Sequence, residues 1–336
     1  MKHEHGFSFV ELVVALALTL AITAMLFDFA ATSQRIARTQ PEAADLTQRL
    51  RVAAGAIERD LRSAGAAPPN GSVGTLSNYL PPIVPARAGL QSADGELTAF
   101  TDRVSVLSAV DGGWVARLSA DLASPIADIP IVPAALGCPA AGLCGFTPLA
   151  RAAIIDTGRL GAGFDVFTVT HVTTSLGHSA PNLPFSKAYG ATTAVVIPIE
   201  QKVYYLDRTT SRLMVYDGYR SALPLVDHVD DLEFAYFVDP HEESVAPPED
   251  PAGNCAYAAG DPPIPLLLAL GATLVEMPVD SFTDGPFCGV PPNRFDADLL
   301  RIRRVSVRVR LRAAVAGTRP LELTFHVASR NMVASR

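Results

Sequence analysis

The longest feature of the hydrophobicity pattern lies at the start of the chain. From Leu12 to Phe27 every residue is apolar except Thr19 and Thr23. Extended back to Phe7, the stretch carries a single charge, Glu11. As an α-helix it is about 30 Å long, the thickness of a bilayer core. Asp28, Gln34, Arg35 and Arg38 then return the chain to water. Leu46, Leu50, Ala53, Ile57 and Leu61 recur at steps of four, three, four and four, a stripe that predicts a helix packed on a globular domain. Gln48, Arg49, Arg51, Glu58, Arg59 and Arg62 take the other faces. The pattern predicts one helix from about Phe7 to Ser63. Pro41 interrupts it, at about 3 kcal/mol for a lost helical hydrogen bond, so a kink or break is expected near Arg38–Gln40. Gly65 and then Pro68 and Pro69 end the helix.

Beyond Ala67 the texture changes to short apolar runs separated by Pro and Gly. Strands are predicted at Arg103–Val110, Trp114–Leu118, Phe164–Val172, Ala194–Ile199, Lys202–Leu206, Leu213–Asp217, Leu232–Val238, Ile302–Ala313 and Leu321–Val327. Val203–Tyr216 reads as a hairpin around a polar turn. The clearest alternation comes late: Val305, Val307, Val309 and Leu311 share one face, and Ser306, Arg308, Arg310 and Arg312 the other. Leu321, Leu323, Phe325 and Val327 repeat the pattern after a turn at Gly317-Thr318, which predicts an antiparallel pair with one buried face. Ala120–Leu149 and Pro240–Arg294 read as loops. The second is long enough to be an inserted subdomain, with a short helix at Leu266–Leu270.

Composition narrows the class. A chain that is 49% hydrophobic and 18% charged has the means to bury a core, which excludes wholesale disorder. A net charge of −7 argues against a dedicated nucleic-acid binder, whose phosphate contacts need a positive surface. The four cysteines are Cys138, Cys144, Cys255 and Cys288. An even count in an exported chain favours disulfides, and three pairings are open. Cys138–Cys144 and Cys255–Cys288 are favoured, because each pair lies in a Pro/Gly-rich loop that gains from stapling.

No nucleophile elbow, P-loop, dinucleotide fingerprint or zinc spacing is present in the sequence, so no catalytic residue is assigned. His171 and His178 read as structural histidines. Asp227, Asp230 and Asp231 read as a solvated turn, without the ligand spacing of a calcium loop. Asp239, Glu242, Glu243, Glu249 and Asp250 have the composition of a plain flexible loop. Arg303, Arg304, Arg308, Arg310 and Arg312 read as a solvated strand face paired with neighbouring carboxylates, and Trp114 as a core or loop anchor. No cofactor and no metal is expected.

Glu11 decides between readings of the N-terminus. A cleaved secretory signal would need a small-residue cleavage site after the apolar run, and only Ala30-Ala31-Thr32-Ser33 offers a strained one. A plain anchor leaves Glu11 unexplained: a carboxylate at membrane depth costs roughly 2.5–3.5 kcal/mol and normally has a partner. The string Gly6-Phe7-Ser8-Phe9-Val10-Glu11-Leu12 resembles the class III prepilin signal, usually Gly-Phe-Thr-Leu-Ile-Glu-Leu. It departs from it only at Ser8, Phe9 and Val10. The resemblance implies cleavage between Gly6 and Phe7 by a prepilin peptidase, N-methylation of Phe7, and retention of the apolar segment. It also implies that Glu11 pairs with the α-ammonium of Phe7 on an adjacent subunit and sets subunit register.

Three further strings resemble PilW-type minor pilins and their GspJ-type pseudopilin relatives. They are Ile57-Glu58-Arg59-Asp60-Leu61-Arg62-Ser63-Ala64-Gly65, Val229-Asp230-Asp231-Leu232-Glu233-Phe234-Ala235-Tyr236, and Phe325-His326-Val327-Ala328-Ser329-Arg330-Asn331. They occur in family order, and length favours the PilW-like group. The fold implied is α+β and pilin-like: a long N-terminal helix packed on an antiparallel sheet domain with long disulfide-stapled loops. The implied organisation is a leader at 1–6, a transmembrane and filament-core helix at 7–27, the periplasmic half of the helix at 28–64, and a β-rich domain at 65–336 with an insertion at about 240–294. Implied partners are the prepilin peptidase, other minor and major pilins, and an inner-membrane assembly platform. The implied place is the inner membrane, single-pass with a periplasmic domain, and then the pilus at the cell surface. A type II secretion pseudopilin is the nearest alternative. A signal-anchored periplasmic enzyme or binding protein is the alternative of another class.

Overall fold

The computed structural model describes residues 8–65, 81–86, 102–109, 115–132, 146–156, 163–178, 185, 187–217, 221–240, 243–245, 255–257, 274–285, 287–288, 295–315 and 318–328. Helix α1 runs from Phe9 to Ser63, 55 residues and about 80 Å. Ser8 caps it: its hydroxyl accepts from Val10 N at 3.3 Å, and its own N–H donates to Glu11 Oε2 at 2.9 Å, closing a capping box. Gly65 takes φ 74 just past the other end, and its N–H donates to Leu107 O at 3.0 Å, which ties the helix end to the sheet. The break expected near Arg38–Gln40 does not occur, and α1 continues through Pro41. Proline removes the donor for the Ala37 carbonyl. Ala37 and Pro41 are both exposed, so water serves that oxygen and the turns on either side hold the helix.

The strands in chain order are β1 Ile83–Pro85, β2 Arg103–Ala109, β3 Ala116–Arg117, β4 Ile129–Pro130, β5 Arg151–Asp156 and β6 Gly163–Val172. Then come β7 Ser175–His178, β8 Ala194–Asp207, β9 Arg212–Tyr216, β10 Ala222–Asp227, β11 Val229–Val238 and β12 Glu243–Val245. The last are β13 Cys255–Tyr257, β14 Val275–Met277, β15 Phe287–Cys288, β16 Phe295–Asp296, β17 Ile302–Leu311 and β18 Leu321–Ala328. The larger sheet runs β1-β2-β8-β5-β6-β7-β4, with β3 and β9 also on β8, and β10 on β9. A second sheet runs β14-β11-β17-β18. Two short ribbons, β12-β13 and β15-β16, complete the set. The two sheets are antiparallel throughout their described pairings.

The hairpin expected over Val203–Tyr216 is β8–β9, with Val203 opposite Tyr216. Its turn is held by Asp207, whose carboxylate accepts from Thr209 N and from the Thr209 and Thr210 hydroxyls at 2.6–2.9 Å. Those bonds hold the carboxyl down to about 2. The late alternation is β17, buried at Val305, Val307, Val309 and Leu311 and paired along its length with β18. Two predicted runs, Ala194–Ile199 and Lys202–Leu206, are one strand, β8. The hydrophobicity pattern gives no strand at β5, β7 or β10, and β4 and β14 fall inside stretches that read as loops. The helix expected at Leu266–Leu270 lies outside the described residues.

One core joins the α1 stripe to both sheets: Leu46, Leu50, Ala53, Ile57 and Leu61 meet residues of β2, β8, β11 and β17, among others. A second core lies on the other face of the larger sheet, around Leu118, Leu122, Ile129, Phe167, Leu176, Phe185 and Tyr189. Strand β5 divides between them: Ala153 and Ile155 belong to the first, Ala152 and Ile154 to the second. The architecture is α+β, one long N-terminal helix on antiparallel sheets.

Candidate functional site

The first half of α1 packs against none of the described residues. Every residue from Ser8 to Arg38 is exposed, including Phe9, Leu12, Leu16, Leu20, Met25, Phe27 and Phe29. Removing that apolar surface from water is worth of the order of 20 kcal/mol or more, so its natural medium is apolar. The two hydroxyls in the run fit such a medium, because Thr19 Oγ1 donates to Ala15 O and Thr23 Oγ1 to Thr19 O, each at 2.7 Å. The helix is long and apolar enough to cross a membrane. Glu11 sits on this surface with its carboxylate turned back to the Ser8 N–H. Gly6 and Phe7 lie outside the described residues.

The second half is anchored to the domain by the stripe and by three polar ties. Asp60 is 6% exposed on the buried face. Tyr204 donates its hydroxyl to Asp60 Oδ2 at 2.5 Å, and Lys202 Nζ lies 3.3 Å away, both on β8. Arg59 Nε stands 3.4 Å from Asp60 Oδ1. Burial, then the bond to Asp60, raises the Tyr204 pKa above its usual range, so the phenol stays a donor. Arg49 holds Asp45 at 2.6 Å and His228 Nδ1 at 2.9 Å, on the residue between β10 and β11. Glu42 Oε1 accepts from Ala314 N at 2.7 Å beyond the end of β17. The Asp60 anchor was within reach of the sequence, since an aspartate three residues after Ile57 and beside Leu61 falls on the apolar stripe. Its partners, more than 140 residues away on β8, were not.

The other residues singled out do not converge. His171 Nε2 meets Asp128 Oδ2 at 3.0 Å, while His178 bonds Ala127 O and stacks on Phe185. Of the arginines read as a solvated, paired strand face, Arg308 pairs with Asp231 and Glu233 and Arg310 with Asp230, while Asp227 is held by Arg212. Arg303 departs from the solvated-face reading: it is buried and donates to Leu300 O at 2.5 Å, and Arg304 lies over the Phe237 ring. Asp239 is buried, and Arg301 Nε donates to its carbonyl. Glu242, Glu249, Asp250, Trp114, Cys138 and Cys144 lie outside the described residues. For Cys255 and Cys288 only the backbone is described: they belong to separate ribbons, β13 and β15.

Among the described residues, Asp284, Asp296 and Asp298 bring carboxylate oxygens within 4.8 Å of one another. Burial pushes the Asp296 carboxyl up to about 6, against hydrogen bonds from Gly285 N at 2.7 Å and Asp298 N at 2.9 Å. Asp298 is held by Arg301 at 2.6 Å. These contacts account for Asp296 and Asp298 as a turn-capping arrangement, and no ion is assigned to the three carboxylates.

Comparison with known proteins gives one family match. Residues 1–27 match the model of the prokaryotic N-terminal methylation motif. No curated protein and no solved structure gives a significant match to the chain. The match supports a type IV pilin-like protein, with an N-terminus of the kind a prepilin peptidase processes and a helix able to anchor it in a membrane.

Proposed function

We propose that the chain is a minor pilin of the PilW-like kind, built into a filament and not a catalyst. The observation that carries the reading is a juxtaposition. A methylation motif over residues 1–27 opens a helix whose apolar first half is bare and whose second half is locked into a β-rich domain. A peptidase cutting after Gly6 leaves Phe7 as an N-methylated terminus. The helix then keeps the subunit in the inner membrane until assembly, with the domain in the periplasm. Glu11 changes partner on assembly, from its own Ser8 N–H to the Phe7 ammonium of a neighbour, which offsets the desolvation of both charges. The subunit joins other minor and major pilins at the assembly platform, at the filament tip.

Mass spectrometry of the N-terminus of membrane-extracted protein tests this, in cells with and without a prepilin peptidase. A chain beginning at N-methylated Phe7 only when the peptidase is present is the expected result. A chain beginning at Met1, or cut near Ala31, would overturn it in favour of an ordinary anchor or a cleaved signal peptide on a periplasmic enzyme or binding protein. Glu11→Ala should still be cleaved but be absent from sheared filaments. Filaments from pilus and secretion loci, probed separately, separate the PilW-like reading from a GspJ-like pseudopilin.

A further inference from the structure

The two sheets end differently. Among the described residues the larger one stops at β1, with Pro85, and at β4, with Pro130. Its branch stops at β10, which carries Pro224 and a bulge. Prolines and bulges keep a sheet edge from pairing with another chain. The end strand β18 of the second sheet has neither: it is eight residues long, without proline, in unbroken register with β17. No described strand lies beyond it, or beyond β14 at the other end.

Each end is also unfinished on its core side. Leu321, Leu323 and Phe325 of β18 are only half-buried against the first core. On β14, Val275 and Met277 stand opposite the buried Val238 and Tyr236 and so share the core face, yet Val275 is 54% exposed. The outer face carries Glu276 on β14, and Glu322, Thr324 and His326 on β18, all exposed. Strand polarity fixes how the two ends can meet. β14 pairs antiparallel with β11, β11 with β17 and β17 with β18, so β14 and β18 run in opposite directions. A second copy set beside the first in the same orientation brings its β14 antiparallel to β18. Its α1 then points the same way, as two copies anchored in one membrane require. Pairing β18 with β18 about a twofold axis would reverse one α1, because the helix lies on the face of the sheet.

We propose that the β18 edge is a docking surface for the β14 edge of a second copy of this chain, joined by strand addition. One register matches core face to core face and sets unlike groups opposite each other. It places the second copy's Glu276 opposite His326, with its Val275 opposite Val327 and its Met277 opposite Phe325. That pairing covers the exposed Val275 and the half-buried Phe325. The register that faces Glu276 with Glu322 opposes two carboxylates and is disfavoured. The contact is head-to-tail and leaves a free edge on each copy, so copies line up in a row instead of closing as a pair. It needs copies rooted in one membrane and does not depend on cleavage after Gly6.

Photocross-linking of the full chain in membranes tests it, with benzoylphenylalanine in place of His326. Illumination should give multiples of the chain mass, and the cross-linked peptide should contain residues 275–277 of a second copy. Cross-links to a different protein, to other parts of a second copy, or none at all overturn the proposal. Charge exchange gives an independent readout, by sedimentation of the purified full chain in micelles at a fixed protein-to-detergent ratio. Glu276→Lys and His326→Asp should each weaken self-association about fivefold, and the double variant should recover to within about twofold of wild type. Equal self-association in wild type and all the variants would overturn the pairing, because association through the bare half of α1 alone is blind to both positions.

Discussion

Tyr204→Phe isolates the polar lock between α1 and the domain. The substitution removes one hydroxyl and leaves the ring in the core. That hydroxyl donates to Asp60 Oδ2 at 2.5 Å, and Asp60 is 6% exposed. A hydrogen bond to a charged group contributes roughly 1.5–3 kcal/mol. Lys202 at 3.3 Å and Arg59 at 3.4 Å remain to hold the carboxylate. The expected destabilisation is therefore about 2 kcal/mol, not the roughly 3–5 kcal/mol of a buried charge stripped of its partner. Urea unfolding of the full chain in micelles, followed by near-ultraviolet circular dichroism, reads the domain while the micelle-bound segment stays constant. Asp60→Leu and the double variant complete a cycle, with a coupling of about 1.5 kcal/mol or more. Additivity of the two single variants within about 0.5 kcal/mol would show that the contact carries no energy and refute the lock.

Two other outcomes follow from the same geometry. The Asp296 carboxyl is raised to about 6, so between pH 6 and pH 4 the native state holds a proton that the unfolded state has released. The penalty of the buried charge is present above pH 6 and disappears as pH falls through that window, by at most about 3 kcal/mol. The stability of wild type relative to Asp296→Asn should accordingly rise from pH 7 to pH 4.5, and a flat difference in urea melts would exclude the buried charge. Pro41→Ala restores the donor to the Ala37 carbonyl and should stabilise the exposed stretch by up to about 3 kcal/mol. Amide exchange over 37–45 should slow, and unchanged exchange would mean that Pro41 does not weaken the helix.

The helix was legible because its two media leave different signatures in one run of sequence. The bare half opens with a nearly unbroken apolar run and the docked half is striped, and Leu46, Leu50, Ala53, Ile57 and Leu61 are buried as their spacing predicts. Strand β17 was legible for the related reason that one face meets the core and the other water. Strand β5 was not: Ala152, Ala153, Ile154 and Ile155 are all buried because the strand serves two cores, so it has no alternation to read. Strand β8 read as two pieces because Glu200 and Gln201 interrupt its apolar run. That polar pair marks the place where β5 ends and β9 has yet to begin along one edge of β8, a change of neighbour that is a property of the sheet.

The division of α1 also gives Pro41 its place. The apolar stretch from Phe9 to Phe27 is about 30 Å long, a bilayer core. The domain first grips the helix at Glu42 and Leu46. Between them lie Asp28 to Pro41, where neither an apolar medium nor a packed sheet supports the backbone. A missing hydrogen bond inside the bilayer would strand a carbonyl without water, at several kcal/mol. Inside the docked half it would disturb the packing of the stripe. In the exposed segment water takes the carbonyl, and the cost is confined to the helix itself. Pro41 therefore sits in the part of α1 where a bend disrupts the fewest contacts.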